Sequence, residues 1–219
     1  MRLKREIVTL GVDGVDPNQT VGTYVGPTEW NRLIEDPEVL VIDTRNTYET
    51  DIGVFKGAKI PHTTTFREFP SWFAEQGLPK EQKIAMYCTG GIRCEKATSF
   101  VKAQGFEHVY HLKGGILKYM ERMSEEDSTW EGDCFVFDDR VSVDHRLHPG
   151  PHVLCYACGR AVDQEGVRSG HYVLGVSCAQ CVDETTTDQK ERFGERARQV
   201  ELAEERGRPH MGVPQGKRP

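Results

Sequence analysis

The chain has 219 residues, of which 37% are hydrophobic and 28% are charged, and this is enough for one domain and a smaller appendage. Its formal net charge of −6 argues against a uniformly basic nucleic-acid-binding protein, although local basic patches remain compatible with it. No apolar run approaches the roughly 18 residues of a membrane-spanning helix and the basic N-terminus lacks a signal-peptide core, so we expect a cytoplasmic protein without membrane contact.

Residues 1–21 are predicted to form a lead-in that runs along the surface of the domain that follows. Glycine, aspartate and proline at residues 11–17 indicate turns. Arg2, Lys4 and Arg5 form a small basic patch, which is one candidate for contact with nucleic acid.

Residues 22–125 alternate between helical and strand patterns. Thr28 is predicted to cap a helix over residues 29–35. The apolar run at residues 39–42 suits a strand that is buried in a parallel sheet. The alternation predicts an α/β fold with a parallel sheet flanked by helices, and such folds bind ligands at the carboxyl ends of their strands.

A second apolar run, at residues 83–87, is followed by a helical pattern at residues 94–104 that Gly105 ends. The loop between them is the strongest candidate for an active site, and it consists of Cys88, Thr89, Gly90, Gly91, Ile92 and Arg93. The glycines let the backbone curl so that N–H groups point inward, and the start of the helix favours an anion there. With the positive charge of Arg93 close to the sulfur or to an anionic substrate, the loop predicts a nucleophilic Cys88 thiolate.

Four further residues near this loop carry predictions. Cys94 could resolve an oxidised or persulfidated Cys88, or it could pack beneath the loop. Packing is slightly favoured, because a cysteine at the start of a helix points away from the loop as readily as toward it. Asp43, Arg45 and Glu49 are predicted to form a buried hydrogen-bonded scaffold, since buried charges are normally retained by pairing.

The six residues of the loop resemble the active-site loop of rhodanese domains. Three other segments agree with the rhodanese pattern, namely a strand that ends in Asp and Arg, a Gly-Ala-x-x-Ile-Pro turn, and a last strand with a Gly-Gly turn, at residues 39–49, 55–61 and 109–116. The chain departs from the pattern at Gly53-Val54, where Gly-His is usual. The resemblance covers about residues 22–125 and implies a rhodanese-like domain.

The longer segment from Cys88 to Ala97 is more particular and resembles the rhodanese-type tRNA uridine hydroxylase family. The segments that support this resemblance are residues 5–11, 66–70, 111–119 and 134–141. The family implies hydroxylation of the wobble uridine, position 34 of the tRNA anticodon, to 5-hydroxyuridine, with molecular oxygen as co-substrate and Cys88 as the essential cysteine. The sequence has no evident flavin, haem or iron site. Members usually carry an N-terminal ferredoxin-like domain, which this chain is expected to lack because it is a truncated form, a shortened gene model or a natural short form.

Two alternatives to hydroxylation remain open. In the first, Cys88 takes sulfane sulfur from thiosulfate or a persulfide donor and passes it on, as a rhodanese sulfurtransferase does. In the second, the chain is a tRNA-binding accessory without catalysis, which would keep its function when Cys88 is replaced.

Residues 126–186 are predicted to form a small, zinc-ribbon-like region. Two Cys-x-x-Cys pairs lie nineteen residues apart, Cys155 with Cys158 and Cys178 with Cys181, and four thiolates match the tetrahedral preference of structural zinc. Four free cysteines in a small core are the alternative. Residues 170–177 are predicted to be a strand that leads to the second pair, with His171 as a packing or surface residue.

The odd total of seven cysteines, four of them in these pairs, fits a reducing compartment better than a secreted disulfide framework. Residues 187–219 are predicted to form a charged helix to about Arg206, followed by a disordered tail. On this helix Arg192, Arg196 and Arg198 alternate with glutamates, which favours a solvated face over an RNA-binding one. The sequence specifies no oligomeric state.

Overall fold

A computed structural model describes residues 6–207 of the chain. Contacts between residues divide it into two units, Met1–Gly150 and Pro151–Pro219. The predicted basic patch at Arg2, Lys4 and Arg5 and the predicted tail at residues 208–219 lie outside the described residues. In the part that is described, no helix combines the length and the apolar character needed to cross a membrane.

The first unit is built on a parallel sheet of four strands. In chain order its elements are β1 (Thr23–Val25), α1 (Pro27–Ile34), β2 (Val39–Asp43), α2 (Thr47–Thr50), β3 (Gly53–Phe55), α3 (Phe69–Glu75), β4 (Lys83–Tyr87), α4 (Ile92–Ala103), β5 (Val109–Leu112), α5 (Gly115–Arg122), β6 (Trp130–Gly132), β7 (Cys134–Phe135) and β8 (Ser142–Val143). The strand order is β1-β5-β4-β2, and every neighbouring pair is parallel. A short 3₁₀ turn at Phe66–Glu68 precedes α3.

The core lies on both faces of this sheet, as the alternation of side chains along β4 requires. Ile84 and Met86 belong to one apolar cluster, which includes Phe69, Phe73 and Phe100 from α3 and α4. Ala85 and Tyr87 point to the opposite face, into a cluster with Trp30, Phe55 and Tyr119. Successive residues of a strand face opposite sides of the sheet, so β4 is buried on both faces and Cys88 follows it at the centre of the domain.

Two helix starts differ from the sequence prediction. Helix α1 begins at Pro27 with Gly26 as its N-cap, because proline has a suitable φ and needs no hydrogen bond at the first helical position. The predicted cap, Thr28, lies inside the helix and donates to Glu29 Oε2 at 2.9 Å. Helix α4 begins at Ile92, so the last two residues of the predicted loop, Ile92 and Arg93, form its first turn.

The segment at residues 126–150 lies within the first unit, which moves the domain boundary from the predicted 125/126 to Gly150/Pro151. Strand β6 pairs antiparallel with β3, and β7 pairs with β8. Trp130, Cys134 and Val136 are buried in the same cluster as Tyr87. Residues 124–127, next to the predicted boundary, form an exposed turn within this unit.

The second unit contains β9 (Val153–Leu154), β10 (Ala161–Val162), α6 (Gln164–Arg168) and α7 (Thr187–Glu205). Strands β9 and β10 form an antiparallel hairpin, and the cysteine side chains of the two pairs fill the small core beside it. The predicted strand at residues 170–177 is wrong: a single bridge joins Val173 and Ser177, because Gly175, at φ 76°, turns the chain back on itself. Helix α7 agrees with the sequence prediction, and Arg198 pairs with Glu195 one turn earlier.

Candidate active site at the Cys88 loop

Cys88 lies where β4 ends, and the chain turns sharply from it into α4. Gly91 is the N-cap of α4 with φ 94°, a left-handed conformation that side chains other than glycine rarely adopt. This turn directs the Gly91 N–H at Cys88 Sγ, at 3.1 Å. Cys88 is buried, with 2% of its residue surface exposed.

Hydrogen bonds and charge lower the pKa of Cys88 to about 6. The largest contribution is a hydrogen bond from the Cys94 side chain, and the Arg93 charge and the N–H groups of Cys94 and Gly91 add to it, while burial acts in the opposite direction. Burial and the neighbouring Cys88 sulfur raise the pKa of Cys94 well above its usual range. At neutral pH the pair therefore consists of a Cys88 thiolate and a Cys94 thiol.

Cys94 thus faces the Cys88 sulfur as well as being fully buried, whereas sequence reasoning slightly favoured packing alone. Its orientation is fixed from the other side by Thr44, whose Oγ1 lies 3.5 Å from Cys94 Sγ. The Thr44 hydroxyl also donates to the Tyr87 carbonyl at 3.0 Å. Sequence reasoning missed Thr44, although its place directly after β2, next to β4 in the sheet, was a usable signal.

Arg93 is held in a buried, two-pronged ion pair with Glu49. Its Nη1 and Nη2 donate to the two carboxylate oxygens of Glu49 at 2.5 and 2.6 Å. Glu49 also accepts from the Thr89 hydroxyl at 3.3 Å and from the Asn46 N–H at 3.1 Å. Arg93 therefore lends positive charge to the Cys88 thiolate from beneath the loop, but its guanidinium is already engaged by a carboxylate.

A second buried pair, Asp43 with Arg45, braces the same end of the sheet. Arg45 Nη2 lies 2.7 Å from Asp43 Oδ2 and donates to the Gly53 carbonyl at 2.6 Å, while Nη1 donates to the Glu49 carbonyl at 3.1 Å. Both side chains are fully buried. The pair ties β2, α2 and β3 together, which is the hydrogen-bonded scaffold that the sequence predicts.

The start of helix α5 is hydrogen-bonded to the Cys88 loop. The Ile116 and Leu117 N–H groups donate to the carbonyls of Cys88 and Thr89 at 3.0 and 3.2 Å. These two carbonyls satisfy N–H groups in the first turn of α5, which otherwise lack partners at the start of a helix. Such close approach is possible because Gly115, at φ 66°, has no side chain to collide with the loop.

We expect Gly115→Ala to destabilise the first unit clearly more than Gly57→Ala. A Cβ at Gly115 would lie 2.4 Å from the Cys88 carbonyl oxygen, whereas one at Gly57, also at a left-handed φ of 77°, would meet no atom within 4 Å. Both variants carry the conformational cost of about 1–2 kcal/mol, and only Gly115→Ala adds a clash with backbone. Urea unfolding measures the free energy of unfolding of both variants. An equal decrease in the two would contradict the close contact between Gly115 and the Cys88 loop.

One edge of the Cys88 loop is exposed to solvent. Gly90 is exposed, and the side chain of Ile92 is 50% exposed. Cys88, Thr89 and Arg93 are buried behind them. Gly90 and Ile92 therefore form the solvent-facing edge of the loop, with Cys88 covered behind them.

The second unit brings the four predicted metal ligands together. The sulfur atoms of Cys155, Cys158, Cys178 and Cys181 all lie within 4.8 Å of one another. Neighbouring pairs are 3.7 to 3.9 Å apart. A tetrahedral zinc ion with Zn–S bonds of about 2.3 Å requires sulfur atoms about 3.8 Å apart, so the cluster has the size of such a site. His171 is outside this group of ligands, and its carbonyl accepts from the Ser177 hydroxyl at 2.9 Å.

The first unit, which contains Cys88, is similar to a known domain, and the whole chain has close relatives. A rhodanese-like domain profile matches residues 26–122, which confirms the predicted fold class. A protein of Sinorhizobium fredii named tRNA uridine(34) hydroxylase is 61% identical over 213 residues, covering 97% of this chain and 68% of the relative. A protein of the same name from Agrobacterium fabrum is 59% identical with the same coverage.

Among solved structures, the solution structure of a rhodanese-like domain from Anabaena is 22% identical, covers 50% of this chain and 78% of that chain, and gives a TM-score of 0.41. A rhodanese-related protein from Thermoplasma volcanium is 20% identical, covers 45% and 91% of the two chains, and gives a TM-score of 0.38.

Proposed function

The chain belongs to the tRNA uridine(34) hydroxylase family, and on this premise we propose that it hydroxylates the wobble uridine of tRNA to 5-hydroxyuridine with Cys88 as the catalytic residue. The observation that carries the role of Cys88 is its thiolate, which three donors and a cation stabilise at the end of β4. A thiolate is a strong nucleophile, and C6 of uracil is an electrophilic carbon.

In the proposed reaction the Cys88 thiolate adds to C6 of the base, which makes C5 electron-rich. Molecular oxygen then supplies the oxygen atom that becomes bonded to C5. Loss of the C5 proton and of the thiolate restores the double bond between C5 and C6 and frees Cys88. Overall, one O₂, two electrons and two protons give one hydroxyl group and one water, so a two-electron donor is also consumed.

The other loop residues hold Cys88 ready for this step. Gly91 and Cys94 donate hydrogen bonds that keep the sulfur ionised, and Arg93 supplies positive charge while Glu49 fixes its position. Thr89 joins the same network through Glu49. Gly90 and Ile92 form the exposed edge over which the base would enter. As tRNA is used on cytoplasmic ribosomes, the proposed reaction takes place in the cytoplasm.

The decisive test is mass spectrometry of position 34 in tRNA from cells that lack this chain. Wild-type chain supplied to these cells should restore 5-hydroxyuridine, and Cys88→Ala, expressed at the same level, should not. Restoration by Cys88→Ala would remove Cys88 from the mechanism. Failure of the wild type, with the protein folded and abundant, would contradict hydroxylation by this chain.

We also propose that the four cysteines of the second unit hold one structural zinc ion. Four thiolates fill the tetrahedral positions of zinc and leave none for a substrate, so the metal would stabilise the fold and take no part in catalysis. The sulfur separations described above support this assignment.

Cys178→Ser is expected to lose the zinc ion and to unfold the second unit. Structural zinc contributes about 10–16 kcal/mol in small domains, which is more than such a core can replace. Metal analysis should find one zinc ion per wild-type chain. In limited proteolysis, residues 151–207 should be protected in the wild type and cleaved in Cys178→Ser. Cys134→Ser, at a buried cysteine outside the cluster, is the control and should keep its zinc. A wild-type chain without metal would overturn the assignment.

Sulfur transfer is the second candidate, because the loop of a rhodanese-like domain with a thiolate at its centre also suits a Cys88 persulfide. A steady yield of thiocyanate from thiosulfate and cyanide, lost in Cys88→Ser, would favour it. When the same preparation is given tRNA, formation of 5-hydroxyuridine would indicate hydroxylation, so the two reactions can be told apart.

A further inference from the structure

Phe137 is unusual among the phenylalanines of the chain, all of which lie in the described residues. Its side chain is 67% exposed, whereas the other eight are buried or partly buried. It lies on the turn between β7 and β8, in the segment at residues 134–141 that the proposed chemistry leaves unused. Most of the surface of Phe137 therefore stays in contact with water in the free protein, and its burial contributes little to folding.

The ring is held in a fixed place by other aromatic side chains. Phe137 packs edge-to-face on Phe135, with ring centres 5.3 Å apart at 71°. Phe135 packs in the same way on Tyr48, at 5.3 Å and 76°. We call Tyr48, Phe135 and Phe137 the aromatic platform. Its inner members are buried or half-buried, and its outer member presents a face to solvent.

The turn that carries Phe137 is braced and strained. Arg140 Nη2 lies 2.6 Å from Asp138 Oδ2, and the Val136 N–H donates to the Val141 carbonyl at 2.9 Å. Val141 has φ 63°, which is a rare conformation for a β-branched residue. Strain of this kind persists where the surrounding structure enforces it, often next to a functional site.

The aromatic platform begins beside the Cys88 loop. Tyr48 directly precedes Glu49, the partner of Arg93, and the charges of Glu49 and Arg93 both act on the pKa of Tyr48. Cys134, which precedes Phe135, is close enough for the charge of Cys88 to contribute to its raised pKa. The platform thus extends from the loop residues outward to an exposed ring.

We propose that the aromatic platform stacks on a nucleobase that neighbours the target uridine in single-stranded RNA, an inference that rests on the function proposed above. Every base has a flat π-face, and proteins that bind splayed-out bases stack them on exposed aromatic rings. The turn favours a base over a phosphate, because Arg140 is paired with Asp138 and Asp139 leaves a negative charge there. The stacked base holds the uridine next to Cys88.

The test measures binding of an anticodon stem-loop RNA with uridine at the wobble position. Phe137→Leu is expected to raise the Kd roughly tenfold, and Phe137→Tyr, which keeps the ring, to leave it within about twofold. A second RNA lacks the base next to the uridine on which Phe137 is proposed to stack. Phe137→Leu should not weaken binding of this abasic RNA, because the ring and the missing base are the two groups in contact. Ile7→Ser, at another exposed apolar residue, should bind like the wild type.

The melting temperature and the pH dependence of Cys88 alkylation should be unchanged in both Phe137 variants, since the ring is outside the loop. Wild-type affinity in Phe137→Leu, or an equal loss for intact and abasic RNA, would overturn the proposal. So would a wild-type dimer that Phe137→Leu dissociates, because the platform would then bind a second copy of the chain. If Phe137→Leu weakens binding of intact RNA but not of abasic RNA, and the chain still forms no 5-hydroxyuridine, the stacking proposal stands and the proposed function is refuted.

Discussion

Replacing Cys88 with serine is expected to lower the rate of 5-hydroxyuridine formation by at least about a thousandfold, because a hydroxyl group is not ionised where a thiolate is. The measurement uses purified chain with tRNA, air and a thiol reductant, and counts the modified nucleoside by mass spectrometry. Cys134→Ser, at a buried cysteine with a pKa raised to about 12, should retain the rate of the wild type. A Cys88→Ser variant with full activity would show that hydroxylation does not depend on Cys88.

The same cysteine gives this prediction a pH dependence with a defined sign. Since the pKa of Cys88 is lowered to about 6, the thiolate and its reactivity should be present at neutral pH and lost as the pH falls below 6. Alkylation by iodoacetamide should follow this titration. In Cys94→Ala the midpoint should move upward, because the largest stabilising hydrogen bond is removed. A midpoint that stays in place would exclude Cys94 as the donor.

Glu49→Ala is expected to reduce the free energy of unfolding of the first unit by about 3–5 kcal/mol, since it leaves the buried Arg93 guanidinium without its carboxylate. The matched control is Glu38→Ala, which removes one of the two carboxylates that pair with Lys83 at the surface and should cost no more than about 1 kcal/mol. Urea unfolding measures both variants.

A second readout separates stability from chemistry at this pair. In the folded fraction of Glu49→Ala, the charge of Arg93 is no longer neutralised, so the pKa of Cys88 should fall below that of the wild type. Stability and thiolate formation therefore change in opposite directions. A Glu49→Ala protein as stable as Glu38→Ala would show that the buried pair is not needed for folding.

The parts of the site that sequence reasoning predicted are those set by neighbouring residues. The apolar run of β4, the glycines of the Cys88 loop and the Gly-Gly turn before α5 each act over a few positions, and the structure places them as expected. The partners from distant segments were harder to predict. Glu49 and Arg93 are 44 residues apart, and both were singled out, but only the fold shows that they pair.

The two errors in the second half of the chain have a common cause. The sequence predicts residues 126–150 as part of the cysteine-rich region, and only the pairing of β6 with β3 and the burial of Trp130 and Cys134 beside Tyr87 assign this segment to the first unit. At residues 170–177 a β-rich composition predicted a strand, but Gly175 makes a turn that no partner strand extends. Strand patterns are decided by tertiary partners, which composition does not contain.

The ion pair between Arg93 and Glu49 also bears on the choice between the two candidate reactions. A sulfur donor such as thiosulfate carries two negative charges and has to approach an anionic sulfur, so it needs a cation that is free to receive it. In this loop the guanidinium is already neutralised by a carboxylate. The uracil ring is uncharged, so the electrostatics of the loop oppose its approach less than that of a dianionic sulfur donor.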